Sequence, residues 1–188
     1  MLERLIAMIA ERSFQMSDTP SFKLASGKLS RYYVNCRIIT LDPEGMYLIG
    51  NLIYDRMGET AIDAIGGPSL GANPIADAVS MTAYQKGKRI KPFYVREQVK
   101  DHGIAKKIEG NINKGDRAVI VDDVITTGAS TIRAIESARS EGITVAKVIT
   151  LVDREEGGRE EISRYVQDVE SLVTMSSLIS AYSGRTSP

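Results

Sequence analysis

The sequence predicts an α/β fold in which helices flank a central, mostly parallel β-sheet. Three observations support this prediction. Short apolar segments rich in valine and isoleucine alternate along the chain with segments whose apolar residues recur at helical spacing. Residues 119–121 form a continuous apolar run, as expected for a strand covered on both faces of a parallel sheet. The length of 188 residues fits one domain, 1–188, of ordinary size.

The N-terminal half is predicted to begin with an amphipathic helix over 2–16, because apolar residues recur there at helical spacing between charged ones. Pro43 suits the first turn of a second helix, which is expected to extend to Met57. The other elements expected in this half are short strands at 21–25 and 31–36, a strand at 61–65 closed by Gly66-Gly67-Pro68, a helix at 74–84 and a strand at 92–95.

The C-terminal half is predicted to begin with a long loop over 97–115, which is polar, rich in glycine and lysine, and without a regular period. Loops of this length inside a compact domain are usually functional lids or disordered segments. The elements expected after it are a strand at 117–122, a helix at 129–141, a strand at 143–152, a turn at 153–158 and a helix–strand–helix tail. Strands that alternate with helices in this way imply a parallel sheet with right-handed crossovers.

Composition excludes several classes of protein. The 24 lysines and arginines balance the 24 aspartates and glutamates, which argues against nucleic acid as the main partner. No apolar stretch is long enough to span a bilayer, and charged residues interrupt the N-terminus where a signal peptide would be apolar. A single cysteine, Cys36, excludes an internal disulfide and fits a reducing compartment. We therefore expect a cytoplasmic protein with no nucleic-acid or membrane partner.

The most informative segment is the end of the strand predicted at 117–122. Two adjacent carboxylates, Asp122 and Asp123, lie there, where open α/β sheets bind their ligands. A helix N-terminus with free backbone N–H groups then offers a site for phosphate. The small residues that would surround this phosphate are Thr126, Thr127, Gly128, Ala129 and Ser130. This chemistry suits a sugar phosphate, with the carboxylates on the ribose hydroxyls; the same residue types also occur in ordinary turns and helix caps.

The whole run 118–130 resembles the diphosphoribosyl-binding signature of the type I phosphoribosyltransferases, which bind phosphoribosyl pyrophosphate (PRPP). The resemblance implies that Asp122 and Asp123 bind the ribose, with Asp123 catalytic, and that residues 126–130 bind the 5′-phosphate. It also implies Mg²⁺ as cofactor, carried by PRPP with no direct protein ligand. The segment is not a Walker loop, because no Gly-Lys-Ser/Thr follows the glycine.

Residues 22–33 resemble the N-terminal hood of the orotate phosphoribosyltransferases, in which Phe-x-Leu-x-Ser-Gly-x-x-Ser precedes an aromatic pair. The resemblance implies a small hood over about 17–40 in which Tyr32 and Tyr33 cover the orotate ring. Many members of that family have a lysine just before the Ser-Gly, where this chain has Ala25. On composition alone, the segment is a hairpin with a Ser-Gly turn.

Two further segments resemble parts of the same site. Small residues after the strand at 61–65 correspond to the family's pyrophosphate loop, here Ser69, Leu70 and Gly71, with Leu70 near the position of a frequent lysine. Residues 96–103 resemble the family's catalytic loop, commonly Arg-Lys-x-x-Lys-x-His-Gly. The residues that match are Arg96, Lys100, Asp101, His102 and Gly103, whereas Glu97 replaces a usual lysine.

That resemblance implies a mobile catalytic loop over about 96–112, in which Arg96, Lys100 and His102 bind PRPP and the last two are catalytic. Family members supply this loop to the neighbouring subunit's site, so a homodimer with shared active sites is implied. The segment Asp153-Arg154-Glu155-Glu156-Gly157-Gly158 resembles the Asp-Arg-x-Glu-x-Gly pattern whose arginine binds the orotate carboxylate. Arg154 is the match, and Thr126 is expected beside the same base.

The five segments follow the family's order along 20–158. The resemblance therefore implies transfer of the phosphoribosyl group from PRPP to orotate, giving orotidine 5′-monophosphate and pyrophosphate, a step of pyrimidine biosynthesis. Two alternatives remain open from the sequence. One is a phosphoribosyltransferase for another base, and the other is a PRPP-binding regulator or sensor without catalysis, favoured by the non-basic residues at 25, 70 and 97.

Overall fold

The computed structural model describes residues 1–23, 27, 29–58, 61–96 and 107–186. The helices are α1 (Leu2–Arg12), α2 (Arg37–Thr40), α3 (Pro43–Arg56), α4 (Asn73–Gln85), α5 (Ala129–Ser140), α6 (Gly158–Ser163) and α7 (Met175–Thr186). The strands are β1 (Phe14–Met16), β2 (Phe22–Lys23), β3 (Leu29–Ser30), β4 (Tyr32–Val34), β5 (Ala64–Pro68), β6 (Lys91–Val95), β7 (Ile108–Gly110), β8 (Arg117–Ile125), β9 (Thr144–Asp153) and β10 (Val169–Thr174).

The central sheet has the order β10-β9-β8-β5-β6-β7 in the described part of the chain. Its strands are parallel except for β7, which runs antiparallel to β6 at one edge. The carboxyl ends of β5, β8 and β9 therefore lie along the same edge of the sheet, where ligands of open α/β folds bind. The predicted α/β fold with a mostly parallel, helix-flanked sheet is confirmed.

Each face of the sheet is covered by its own apolar cluster. One cluster joins the strand residues Ile65, Val119 and Val121 to α1, α3, α4 and α7. The other joins Ala64 and Ile120, which point to the opposite face, to α5 and α6. Because strand side chains alternate between faces, consecutive apolar residues in β8 are needed to contact both clusters. This explains why β8 is apolar at every position from Ala118 to Val121.

Two glycines in β5 allow the sheet and α4 to pack closely beneath the site. A Cβ on Gly66 would lie 2.1 Å from the Phe93 carbonyl oxygen, and one on Gly67 would lie 1.9 Å from the Val121 carbonyl oxygen. Real side chains do not tolerate either distance. The pair therefore fixes the separation of β5 from its neighbours β6 and β8, and with it the position of the loop that follows β5.

The N-terminal region forms a small structure beside this edge. β1 pairs antiparallel with β4, with Phe14 opposite Val34, and β2 pairs antiparallel with β3. The peptide N–H of Ser17 donates to the Arg31 carbonyl oxygen at 2.9 Å, which holds the two pairs together. This region is the candidate hood. In the described residues no helix combines the length and the apolar character needed to cross a membrane.

Four sequence-based boundaries are corrected by the structure. The helix predicted at 2–16 ends at Arg12, and the next residues form β1 because β4 offers them a backbone partner. The strand predicted at 61–65 runs instead from Ala64 through Gly66-Gly67-Pro68.

The loop predicted at 97–115, and with it the catalytic loop at 96–112, ends earlier than expected, because Ile108–Gly110 pairs with β6. The strand predicted at 117–122 continues to Ile125, so the two carboxylates lie within the last part of β8. Its pairing with β9, which extends to Ile125 opposite Asp153, accounts for the extra length.

Candidate active site

A cavity of about 550 Å³ opens at the carboxyl ends of β5 and β8. We call it the acid cavity, because two carboxylates lie in its wall. Its lining combines the end of β8, the loop after β5, the start of α5 and one residue of α2. The residues are Arg37, Pro68, Ser69, Leu70, Gly71, Asp122, Asp123, Val124 and Ser130.

Asp122 is 4% exposed and is held by three hydrogen bonds. Its Oδ2 accepts from Thr131 Oγ1 at 2.7 Å and from Ser130 Oγ at 3.2 Å, and its Oδ1 accepts from the Asp123 N–H at 3.0 Å. Burial, and then the charge of Asp123, raise the pKa of Asp122 to about 7, although the hydroxyls oppose the shift. Thr131, which was not predicted from the sequence, is fully buried and fixes this carboxyl group.

Asp123 is less buried and faces the loop after β5. Burial raises its pKa, whereas a hydrogen bond from the Val124 N–H at 2.9 Å and the charge of Arg37 act in the opposite direction. A Cβ on Gly71 would lie 2.4 Å from Asp123 Oδ1. The absence of a side chain at Gly71 therefore lets the loop approach the carboxylate directly.

The segment predicted to bind phosphate, 126–130, wraps the N-terminus of α5 and packs against α6. Gly128 has a φ of 79° and caps α5, where a side chain would be strained. A Cβ on Gly158 would lie 2.6 Å from the Thr126 carbonyl oxygen. Thr127 and Ala129 are exposed, Thr126 is half-buried, and Ser130 contacts Asp122. The backbone N–H groups at the start of α5 thus lie beside the carboxylates.

The predicted pyrophosphate loop also lines the acid cavity. The Ser69 N–H donates to the Val95 carbonyl oxygen at 2.9 Å, and Ser69 Oγ contacts Asn73 Oδ1 at 3.2 Å. The Ser69–Leu70 peptide is cis, and the Leu70 side chain is 72% exposed. The structure thus brings Ser69, Leu70 and Gly71 to the same cavity as the two acids, in a loop that carries no charge.

Arg154 lies just after β9 and connects the sheet to the hood. Its guanidinium donates from Nε to Glu156 Oε1 at 2.8 Å and from Nη2 to Ser30 Oγ at 3.2 Å and the Tyr32 carbonyl oxygen at 3.4 Å. Its backbone N–H donates to the Ile125 carbonyl oxygen at 3.1 Å, which ties it to the end of β8. Arg154 is 8% exposed, and neither Glu156 nor Ser30 was predicted as its partner.

The two tyrosines of the hood point to opposite faces of β4. The Tyr32 ring stacks on Phe14 with centroids 6.1 Å apart and packs against the core, so its carbonyl oxygen is the part that meets Arg154. The Tyr33 ring stacks on Phe22 with centroids 5.7 Å apart and is 38% exposed. Only Tyr32 of the predicted pair has a described contact with Arg154.

Arg96 lies at the end of β6, beside the acid cavity rather than in its lining. Its side chain forms an ion pair with Glu109 of β7, and its backbone N–H donates to the Lys107 carbonyl oxygen at 2.9 Å. It lines a neighbouring cavity of about 400 Å³ that shares Pro68 and Ser130 with the first. The predicted residues Lys100 and His102, and the non-basic positions Ala25 and Glu97, lie outside the described residues.

Two residues near the acids were not predicted from the sequence. Cys36 is 2% exposed, and burial together with the charges of Asp123 and Asp122 raises the pKa of its thiol. Arg37, the first residue of α2, is exposed and lines the acid cavity. Neither follows a motif; both come near the acids only because the fold brings the start of α2 to this cavity.

Comparison with known proteins matches residues 40–179 to the phosphoribosyl transferase domain. The chain therefore belongs to the phosphoribosyl transferase family. It is 46% identical to the orotate phosphoribosyltransferase of Aquifex aeolicus over 94% of this chain and 97% of that protein. It is 42% identical to the enzyme of the same name from Sorangium cellulosum over 85% and 83% of the two chains.

Solved structures agree with the sequence matches. The orotate phosphoribosyltransferase of Aeropyrum pernix matches with a TM-score of 0.78 at 31% identity, over 98% of this chain and 99% of that one. The Mycobacterium tuberculosis orotate phosphoribosyltransferase in complex with PRPP matches with a TM-score of 0.77 at 30% identity, over 94% and 98%. The resemblance to the orotate phosphoribosyltransferases found in the sequence is confirmed.

Proposed function

We propose that this chain transfers the 5-phosphoribosyl group of PRPP to orotate, releasing orotidine 5′-monophosphate and pyrophosphate. The observation that carries the proposal is the arrangement around the acid cavity. Asp122 and Asp123, the uncharged loop 69–71 and the N-terminus of α5 surround one opening of about 550 Å³. The names of the relatives, and the PRPP complex of one of them, support the same substrates.

The ribose would bind at the two carboxylates. Transfer of a phosphoribosyl group passes through a loose state in which the ribose ring gains positive charge. Asp123, which faces the cavity, would be the catalytic carboxylate of the site. It would accept a hydrogen bond from a ribose hydroxyl and stabilise the positive charge of the ring. Asp122 would hold the neighbouring hydroxyl, and its hydrogen bonds from Thr131 and Ser130 fix its position.

The phosphates would bind at two separate backbone surfaces. The 5′-phosphate suits segment 126–130, where the N–H groups and dipole of α5 favour an anion. The residues assigned to it are Thr126, Thr127, Gly128, Ala129 and Ser130. The pyrophosphate suits the loop Ser69, Leu70 and Gly71. Its departure would be assisted by Arg96 and by Lys100 and His102 of the catalytic loop, which would also exclude water on closing.

Orotate would bind between the hood and Arg154. A guanidinium presents a planar fork that matches a carboxylate, so Arg154 is suited to the orotate carboxylate where lysine is not. Glu156, Ser30 and the Tyr32 carbonyl orient this fork. Tyr32, Tyr33 and Thr126 would surround the ring. A purine has no carboxylate, so Arg154 favours orotate over purine bases.

Mg²⁺ would be carried by PRPP and would neutralise charge on its pyrophosphate. The phosphate oxygens of PRPP suit this role, because Mg²⁺ keeps several waters and commonly binds through substrate phosphates. Among the described residues, no group of three or more His, Cys, Asp or Glu side chains is arranged to hold a metal ion by itself. Asp122 and Asp123 would bind the ribose hydroxyls, and PRPP itself would carry the cation with no direct protein ligand.

The organisation of the chain completes the proposal. Residues 1–188 form one phosphoribosyltransferase domain with a hood over about 17–40, and the catalytic loop lies between Arg96 and β7. Two chains form a homodimer in which each supplies this loop to the other's site, and the enzyme works in the cytoplasm.

The test follows loss of orotate absorbance after PRPP and Mg²⁺ are added to the purified protein, with adenine, hypoxanthine and uracil in parallel. Turnover of orotate alone is expected, and Asp123→Asn should lower kcat by at least about 100-fold. Asp18→Asn, an exposed acid in the hood, is the matched control. Turnover of a different base would contradict the orotate assignment. PRPP binding without turnover of any base would indicate a sensor.

A further inference from the structure

The acid cavity has an unusual balance of charge for a site that would hold pyrophosphate. Two aspartates lie in its wall, and the loop 69–71, which also lines it, carries no cation. Near the position where the resemblance to the orotate phosphoribosyltransferases implies a lysine, this chain has Leu70, which is 72% exposed. A leaving group with several negative charges needs a positive partner that is already in place when it binds.

Arg37 is the only cation among the described residues that line this cavity. It begins α2, immediately after the buried Cys36, so the backbone at its base is fixed in the core. Its own side chain is exposed, and none of the described hydrogen bonds or ion pairs engages its guanidinium. Its charge acts on Asp123, whose ionised form it favours.

We propose that Arg37 binds the pyrophosphate group of PRPP, in place of the lysine that is absent from the loop at Leu70. This inference rests on the proposed function. Arg37 and Leu70 both line this cavity, so a cation from α2 and a cation from the loop are alternative ways to place positive charge there. A guanidinium can donate two parallel hydrogen bonds to phosphate oxygens, which a lysine cannot.

Arg37 could instead act only through Asp123, by keeping that carboxylate ionised for the ribose. The two roles differ in which part of PRPP they affect. A pyrophosphate contact predicts weaker binding of pyrophosphate itself, with little change for ribose 5-phosphate. A role through Asp123 predicts the reverse, together with a shift of the kcat/KM profile to higher pH.

The experiment compares Arg37→Ala, Arg37→Lys and Arg37→Ala combined with Leu70→Lys. Arg117→Ala is the matched control, since Arg117 is an exposed arginine at the opposite end of β8. Equilibrium dissociation constants for PRPP, pyrophosphate and ribose 5-phosphate are measured with the same excess of Mg²⁺, and thermal unfolding of each variant verifies folding. Because binding is measured without orotate, the result does not depend on turnover.

We expect Arg37→Ala to raise the Kd for PRPP and for pyrophosphate by roughly 10- to 100-fold, as for loss of a charge-assisted hydrogen bond, with ribose 5-phosphate changed less than about threefold. For PRPP and pyrophosphate, the Kd values of Arg37→Lys should lie between those of the parent and those of Arg37→Ala. Adding Leu70→Lys to Arg37→Ala should restore pyrophosphate binding. Arg117→Ala should bind as the parent does.

Unchanged pyrophosphate binding in a folded Arg37→Ala protein would overturn the inference, as would a loss confined to ribose 5-phosphate. If the parent binds PRPP but turns over no orotate, the proposed function fails while the binding comparison still decides the role of Arg37. If the parent binds neither PRPP nor pyrophosphate, both proposals are wrong.

Discussion

The two halves of the candidate site are built differently. The half at the end of β8 comes from one continuous stretch, in which Asp122 is 4% exposed and is held by Thr131 and Ser130 a few residues later. The half at the hood joins residues far apart in the chain, because Arg154 donates to Ser30 and to the Tyr32 carbonyl. The first half is buried and internally bonded, whereas much of the second is exposed.

This difference indicates how each half controls its ligand. At the end of β8, burial sets the charge state of the carboxylates, so chemistry there depends on pH and on close packing. At the hood, the protein controls direction: three contacts orient one guanidinium, and the aromatic residues stack on one another. We therefore expect damage to the first half to appear in stability and PRPP binding, and damage to the second in orotate binding.

The largest expected effect is on orotate binding and comes from Arg154, which connects the end of β8 to the hood. Arg154→Ala should raise the KM for orotate roughly 100-fold, about 3 kcal/mol, because a charge-assisted bidentate contact is lost. The Kd for PRPP should change little. Steady-state kinetics with each substrate varied separately would measure both.

Arg154→Lys sharpens this prediction, because it keeps the charge and removes the fork; it should recover less than half of the lost binding energy. Arg164→Ala, whose side chain is 71% exposed, is the control. If Arg154→Lys has the same KM for orotate as the parent, the orientation of the guanidinium by Ser30 and Tyr32 does not contribute to orotate binding.

The second largest effect is on the pH dependence of stability and comes from the buried carboxyl group of Asp122. The pKa of Asp122 is about 7 in the folded protein, against an ordinary 3.8, so the folded state holds this proton more tightly. The stabilisation is complete below about pH 3.8 and is lost as the pH rises through 7. From pH 5 to pH 8 the parent should lose about 2–3 kcal/mol from this group, on an order-of-magnitude basis, and Asp122→Asn should not.

Urea unfolding at pH 5 and pH 8 would measure the difference, with Asp18→Asn as an exposed control. The free energy of unfolding of Asp122→Asn, relative to the parent, should improve at the higher pH. Equal pH dependence in the two proteins would show that Asp122 titrates normally and that burial does not set its charge.

A smaller effect is expected where the phosphate segment packs on α6. Gly158→Ala would place a Cβ about 2.6 Å from the Thr126 carbonyl oxygen, so the backbone of the segment must shift. We expect a loss of roughly 2 kcal/mol in unfolding free energy and weaker PRPP binding. Gly184→Ala is the matched control, because a Cβ on this helical glycine meets nothing within 4 Å. If PRPP binds normally to Gly158→Ala, the segment is not fixed by α6.

The smallest effect is expected at the aromatic stack of the hood. Phe22→Ala removes the partner of Tyr33 and should cost about 0.5–1.5 kcal/mol of local stability. We expect a three- to fivefold rise in the KM for orotate with unchanged PRPP binding. Leu29→Ala, at a 61% exposed side chain in the same hood, controls for a general loss of packing. A larger effect on PRPP than on orotate would contradict the separation of the two halves.

Much of the β8 half could be predicted from the sequence, because its elements are consecutive. The apolar run, the two acids and the small residues after them required only strand and helix periodicity. Thr131 and Arg37 were not predicted for a different reason. Thr131 contacts Asp122 only because the chain turns sharply at Gly128, and Arg37 reaches the cavity only because the fold brings the start of α2 to the end of β8.

The errors in the hood and at β7 have a common physical cause. A strand of three residues, such as Phe14–Met16 or Ile108–Gly110, has little preference of its own and exists because a neighbouring strand pairs with it. The helical period from Leu2 gave no sign that a partner at Tyr32–Val34 would stop the helix at Arg12. Pairing between distant segments is therefore the part of this fold that local patterns did not predict.

The position of Cys36 makes its thiol a probe for the separation of α2 from the core. The thiol is the only one in the chain, is 2% exposed, and has a raised pKa because it lies among apolar atoms and near two acids. A thiol reagent can reach it only after α2 separates from the core beneath the site. The labelling rate therefore measures how often the empty enzyme opens, with one labelled thiol per molecule. The factor by which PRPP slows this rate gives the free energy with which the substrate stabilises the closed site.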